Sequence, residues 1–124
     1  MANGSTQLGD LEGAVLHALW EGAELSTPAV HEAVGVPRGL AYTTILTVLQ
    51  RLHKKGLADR REEGRSHVYF AALSREEFAR RRGEGLASSL ATLGEAGMVA
   101  FLAEAERVDP AAFEVLRAKL RPPQ

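Results

Sequence analysis

A mainly α-helical chain with one small β-hairpin, an α+β fold, is what this sequence predicts, and three observations predict it. Ile45, Val48, Leu49 and Leu52 recur at i, i+3, i+4 and i+7 in the stretch Ala41 to Lys55, AYTTILTVLQRLHKK, the spacing of one buried helix face. Leu57 to Arg61 and His67 to Ala71 flank the polar, glycine-bearing Glu62-Glu63-Gly64-Arg65-Ser66, two extended runs around a turn. Beyond the hairpin, Ser74 and Asp109 each precede a new helical period, so the chain returns to helix.

Residues 1–7 are small and polar and are expected to form a flexible arm. Gly9 or Asp10 can cap a first helix whose stripe is Leu11, Val15 and Leu19, broadened by Leu16 and Trp20 and ended by Gly22. Trp20 is expected to anchor the core. Ser26-Thr27-Pro28 is a hydroxyl cap with a proline in the first turn, starting a short second helix from Ala29 to Val34. Gly35-Val36-Pro37-Arg38-Gly39 turns the chain into the third helix, which Gly56 stops after two lysines. In the hairpin, Val68 and Phe70 are expected to face inward, and His67 and Tyr69 outward. Three helices followed by a basic hairpin is the order of a winged helix-turn-helix, whose third helix enters the major groove of DNA while the wing reaches the neighbouring backbone.

Composition narrows the chemistry. The chain has 124 residues, a net charge of −1 and no cysteine, which excludes disulfides, zinc ribbons and thiol catalysis. Its apolar runs are too short to span a bilayer, so a cytoplasmic location is expected. No nucleotide loop, zinc-protease motif or nucleophile elbow occurs. His17, His31, His53 and His67 lack the i, i+4 spacing of a helical metal site; each reads as structural or solvated rather than as a ligand. No enzyme activity, cofactor or metal is expected. The charge is unevenly spread: from Arg38 to Tyr69 seven basic residues stand against three acidic ones, and that distribution matters more than the total.

Thr43, Thr44 and Thr47 lie within five positions of the third helix. Threonine is a poor helix former because its branched Cβ loses rotamer freedom. Its compact hydroxyl and methyl suit phosphate oxygens and thymine methyls. A surface helix with incidental threonines is the bland reading; a DNA-reading helix is the sharper one. Arg51 ranks first as a DNA contact, against a merely solvated arginine. Tyr42 either bonds phosphate or covers the edge of helix two. Lys54 and Lys55 are DNA contacts or plain solvated lysines. Arg60, Arg61 and Arg65 add diffuse attraction that falls with salt, and His67 can touch phosphate.

The C-terminal helices carry thin stripes. Leu86, Leu90 and Leu93 form one, interrupted upstream by Arg80-Arg81-Arg82 and weakened by Gly83 and Gly85. Gly94 and Gly97 are expected to punctuate before Met98 to Leu102. Asp109 caps a last helix with Pro110 in its first turn and Phe113, Leu116 and Leu120 on one face. Such helices bury too little alone to offset chain entropy. Pairing with a second copy through Leu86, Leu90, Leu93, Phe101, Leu102, Phe113, Leu116 and Leu120 solves this, and a two-fold dimer sets two recognition helices about one DNA turn, ~34–36 Å, or a multiple of it apart.

The residues Leu8-Gly9-Asp10-Leu11-Glu12, Leu19-Trp20-Glu21, Ala41-Tyr42-Thr43-Thr44-Ile45, Thr47-Val48-Leu49-Gln50-Arg51-Leu52, Lys54-Lys55-Gly56-Leu57, Gly64-Arg65 and Tyr69 resemble, in order and spacing, the BlaI/MecI penicillinase-repressor family. The resemblance covers residues 8 to 71 well and is looser beyond Ser74. It implies a homodimeric winged-helix repressor on a palindromic operator of double-stranded DNA. Carried over position by position, it makes Tyr42, Thr43, Thr44, Thr47 and Arg51 DNA-facing and puts Arg65 and His67 on the wing. It also implies control by a membrane sensor peptidase, acting directly or indirectly after a β-lactam signal, with cleavage in the dimerisation helices. The matching stretch is Val99-Ala100-Phe101-Leu102, and the candidate bond is Ala100–Phe101. Staphylococcal members have Asn where this chain has Ala100. The cysteine cluster of related copper-responsive repressors has no counterpart here.

The expected organisation is an arm over 1–7, a winged helix DNA-binding domain over 8–72 and a helical dimerisation region over 73–124. The expected function is sequence-specific repression of transcription. The rival from another class is a winged-helix protein-interaction module without a DNA role, which would expose larger apolar anchors than threonine.

Overall fold

The apolar stripes read from the first three helices meet in one core. The computed structural model describes residues 8–120, so the expected arm over 1–7 lies outside the described residues. Helix α1 spans Asp10–Gly22, strand β1 Glu24–Ser26, helix α2 Thr27–Val30 and helix α3 Tyr42–Lys54. Strands β2 (Ala58–Glu63) and β3 (Ser66–Ala71) follow, then α4 (Arg75–Ala91), α5 (Gly94–Val108) and α6 (Pro110–Leu120). The chain divides into two compact units between Arg82 and Gly83, within α4. Mainly helical structure with a small sheet agrees with the α+β expectation.

Val15, Leu16 and Leu19 of α1, Val30 and Val34, and Ile45, Val48, Leu49 and Leu52 of α3 form the core with Leu57, Ala58 and Tyr69. Fully burying a side chain of this size contributes about 1.5–3 kcal/mol, so α3 alone supplies several such increments. Its stripe is buried throughout. Trp20 sits half-buried at the edge rather than anchoring the centre. Its Nε1–H donates to the Leu73 carbonyl at 3.0 Å, the Phe78 ring meets it edge-on at 5.5 Å, and Arg75 lies over it at 5.1 Å. It thereby clasps the start of α4 to α1.

The expected caps form. The Gly9 N–H donates to Glu12 Oε1 at 3.1 Å. Ser26 Oγ accepts from the Ala29 N–H at 3.3 Å, Ser74 Oγ from Glu77 at 3.0 Å, and Asp109 Oδ1 from Ala112 at 3.1 Å. The second helix differs from the expectation. It starts at Thr27 and passes at His31–Gly35 into a π-helical turn, then into a 3-10 turn over Val36–Arg38. Gly97 does not punctuate; it lies inside α5, and the break falls at Gly94, where φ is +72°.

The sheet has three strands rather than two, in the order β1-β3-β2, all antiparallel. On β3 the expectation holds in part: Val68 is buried at 7% exposure, but Tyr69, expected outward, is 0% exposed and belongs to the core, while Phe70, expected inward, is half-buried. Gly56 delivers Leu57 and Ala58 straight into the core, and the Ala58↔Ala71 register then turns Ala71 and Tyr69 inward. A strand's faces alternate, so Val68, which is also buried, lies on the sheet face opposite Tyr69 and outside the main core cluster. Leu25 and Arg60 are the cross-strand neighbours of Tyr69. Arg60 Nη1 donates to the Tyr69 hydroxyl at 3.3 Å, the partner that a buried phenol requires.

In the second unit the helices α5 and α6 are joined at Asp109, and a largely apolar groove of about 570 Å³ between them is lined by Phe101, Leu102, Phe113, Leu116 and Leu120, with Arg117 among them. No residue of α4, α5 or α6 is fully buried.

Candidate nucleic-acid interface

Helix α3 is held at both ends by backbone rather than by capping side chains. Before it, the Gly39 N–H donates to Val36 at 3.0 Å and the Leu40 N–H to Gly35 at 2.9 Å. Gly39 takes φ +67°, a left-handed conformation that favours glycine. After it, Gly56 at φ +79° lets the Leu57 N–H reach the Leu52 carbonyl at 3.0 Å, a closing bond of the Schellman type.

With Ile45, Val48, Leu49 and Leu52 buried, geometry leaves Tyr42, Thr43, Thr44, Thr47, Gln50, Arg51 and Lys54 exposed. Gln50 was not among the expected contact residues. Its spacing from Thr47 was the available signal, and it stands on the same open face. No acidic residue occurs in α3. Tyr42 is 42% exposed. Arg51 and Lys54 form no ion pair among the described residues, although the charge of Arg51 is felt by Glu12.

Lys55 is placed differently. It turns toward α1 and donates from Nζ to Glu12 Oε1 at 3.0 Å in a half-buried ion pair. Burial by itself would raise the Glu12 carboxyl; the bonds from Lys55 and the Gly9 N–H, with the charges of Lys55 and Arg51, outweigh it and hold the group below its ordinary value. This pair joins α3 to α1.

On the wing, Arg65 is exposed next to Gly64, whose φ is +64°. His67 is half-buried with its ring edge toward Tyr69, centroids 6.2 Å apart. Arg61 is bound on both sides, to Glu24 at 2.6 Å and Glu63 at 3.0 Å, and Arg60 is drawn back onto Tyr69. The structure therefore brings Tyr42, the threonines, Arg51 and Lys54 onto one face and leaves Arg65 open at the wing tip. It engages Lys55, Arg60 and Arg61 within the fold. No cluster of His, Asp or Glu suited to a metal occurs among the described residues, and no described helix is long and apolar enough to cross a membrane.

Ala100 and Phe101 lie inside α5, and both are exposed. Leu86, Leu93, Phe101, Leu102, Leu116 and Leu120 are exposed, while Leu90 and Phe113 are half-buried.

A family model described as penicillinase repressor matches residues 8–122. Over 73 residues the chain is 49% identical to the transcriptional regulator BlaI of Mycobacterium tuberculosis, a match covering 58% of this chain and 53% of that protein. The chain thus spans about half the length of the curated relatives it matches. The solution structure of the DNA-binding domain of the repressor BlaI superposes with a TM-score of 0.53 at 30% identity, covering 56% of this chain and 85% of that one. The PcaV transcriptional regulator of Streptomyces coelicolor, solved with its natural ligand, gives 0.52 at 29% identity over 89% of this chain and 80% of that one.

Proposed function

Because the chain belongs to the penicillinase repressor family, we propose that it is a sequence-specific DNA-binding transcriptional repressor, a homodimer acting on a palindromic operator. One observation carries the reading: α3 sinks its whole apolar stripe into the core and turns outward an acid-free face of three threonines, Gln50, Arg51 and Lys54. Threonine hydroxyls and methyls and the Gln50 amide offer short-range contacts to base edges, and Arg51 and Lys54 offer charge to phosphates. Arg65 at the wing tip adds a phosphate contact one strand away. A gel-shift titration against the promoter DNA flanking its own gene tests this. Salt-sensitive binding that prefers that promoter is expected; binding that ignores sequence, or none at low salt, sinks the repressor reading.

The homodimer is supported by the exposed leucines of α4 and α6, by exposed Phe101 and Leu102 of α5, and by the groove between α5 and α6. Contiguous apolar surface of this kind marks an interaction site. Sedimentation at micromolar concentration should give twice the chain mass, and a mass near one chain counts against it.

Release is proposed to follow a signal, with a membrane sensor peptidase or a peptidase under its control cutting at Ala100–Phe101 in the cytoplasm. Proteases take extended chain, so the start of α5 has to unwind first. Gly94 and Gly97, both poor helix formers, and the lack of a side-chain cap make that turn the weakest of the helix. Intact-mass analysis after β-lactam exposure of the host checks the bond; an uncut chain with repression lifted would refute cleavage.

A further inference from the structure

We propose that His31 is a positioning residue for DNA binding, which aims the hydroxyl of Tyr42 at a backbone phosphate of the bound duplex. This rests on α3 being the DNA-facing helix and deepens that reading. His31 opens the π-helical turn, and its ring lies back against the entry to α3. Its Nε2–H donates to the Leu40 carbonyl at 2.9 Å. A carbonyl only accepts, so Nε2 carries the proton. Leu40 is tied at its N–H as well, to Gly35, so the two residues before Tyr42 start from a fixed peptide. The imidazole and the Tyr42 ring then meet with centroids 5.9 Å apart and planes at 77°, a T-shaped geometry that is favourable for aromatic pairs.

Gly35 shows that the space is kept for this ring. Its φ is −77°, an ordinary helical value that any residue adopts, so glycine is not needed there for its backbone. A Cβ at Gly35 would come within 2.5 Å of His31 Cδ2 and 2.9 Å of Ile45 Cγ1. The missing side chain makes room for the imidazole between the turn and α3.

The Tyr42 hydroxyl makes no hydrogen bond among the described residues, and the side chain is open to solvent. It stands on the first turn of α3, whose cap residue Ala41 supplies no side-chain oxygen and whose first turn has no acid. The positive end of the helix dipole there favours a phosphate as the acceptor. A phenol held by a neighbouring ring loses less rotational freedom on binding than a free one.

The test is a double-mutant cycle in the full chain. Binding is read by fluorescence anisotropy on a duplex of the promoter upstream of its own gene, with thermal unfolding followed in parallel. Tyr42→Phe should weaken binding about 10-fold, the loss of one hydrogen bond to a charged phosphate oxygen. His31→Ala should weaken it by a similar factor. In the double variant the loss should match the larger single effect rather than the product of the two. His31→Gln, whose amide can donate to the Leu40 carbonyl, should recover part of the affinity. If His31→Ala does not fold, His31→Phe, which fills the space without the donor, takes its place in the cycle. Losses that multiply, or wild-type affinity in the His31 variant, overturn the role of His31 while the DNA reading stands. Absence of binding by the wild-type chain overturns both.

Discussion

Residues 8–82 and 83–120 are built mostly of helix, yet they dispose of their apolar side chains in opposite ways. In the first unit Leu49 is 0% exposed, and α1, α2, α3 and the sheet close around it. In the second, Leu116 is 56% exposed and Leu120 83%. The spacing of apolar residues is equally helical in both. What differs is how many stripes converge: three helices and a sheet supply one another with covering surface, whereas α5 and α6 pack chiefly on each other. Amphipathic period therefore tells where a helix expects a neighbour, and only the number of converging faces tells whether the chain contains that neighbour.

The largest effect that can break this contrast is a pair of truncations. Leu49→Ala should destabilise the winged unit by about 3–4 kcal/mol, transfer plus cavity, seen as a drop in its denaturation midpoint at every protein concentration. Leu116→Ala should leave that midpoint in place and weaken self-association. A concentration-independent loss of similar size from Leu116→Ala would mean that the second unit has a closed core after all.

Next in size is the ion pair tying α3 to α1. Glu12→Gln should lower stability by on the order of 2 kcal/mol, since it leaves Lys55 half-buried without its carboxylate. The wild-type chain should show the matching acid dependence. The Glu12 carboxyl is held below its ordinary value in the fold, so its contribution is complete above the unfolded value of roughly 4.3 and is lost as pH falls through the folded one. Unfolding midpoints between pH 6 and pH 3 should fall less steeply in Glu12→Gln than in wild type; parallel curves would remove Glu12 from the account.

A smaller contrast separates two cations of one helix. Arg51→Ala should weaken DNA binding about 10-fold with little change in unfolding and reduce the salt slope by about 1. Lys55→Ala should do the reverse, lowering stability with a weaker effect on the slope. Equal slopes in both variants would merge the two roles.

Smallest are two glycine exchanges of opposite sign. Ala23 has φ +68° and ψ −74°, a strained region for a residue with a Cβ. Ala23→Gly should stabilise the winged unit by on the order of 1 kcal/mol once glycine's own entropy is subtracted. Gly85 lies within α4 and a Cβ there would meet nothing within 4 Å. Gly85→Ala should raise helicity and stability by about 0.5–1 kcal/mol. Thermal melts with circular dichroism check both, and a fall in either would refute the local explanation.

What the sequence made legible follows from how local each signal is. The stripe of α3 and the caps at Ser26, Ser74 and Asp109 are set by neighbours within a few residues, and they stand where they were expected. The third strand was not legible, because Glu-Leu-Ser has no pattern of its own and is a strand only through its register with β3. The same pairing explains why Tyr69 rather than Phe70 enters the core. His-Val-Tyr-Phe-Ala has three large apolar residues in a row, so alternation could not choose a face, and the choice came from Ala58 across the sheet. Of the candidate interface, the α3 face followed from period alone. The engagement of Lys55, Arg60 and Arg61 depended on Glu12, Tyr69 and Glu24, which are remote in sequence or on another strand.

The three-residue strand β1 changes the mechanical character of the wing. It pairs with β3 only at Val68, Tyr69 and Phe70, while β2 and β3 run on together past Glu62 and His67 to Glu63 and Ser66. The wing is therefore a cantilever, clamped at its root and two strands thick at its tip. Displacement is largest at the Gly64 end, beyond the three-stranded root, so Arg65 can follow the contour of a surface while Tyr69 stays in the core.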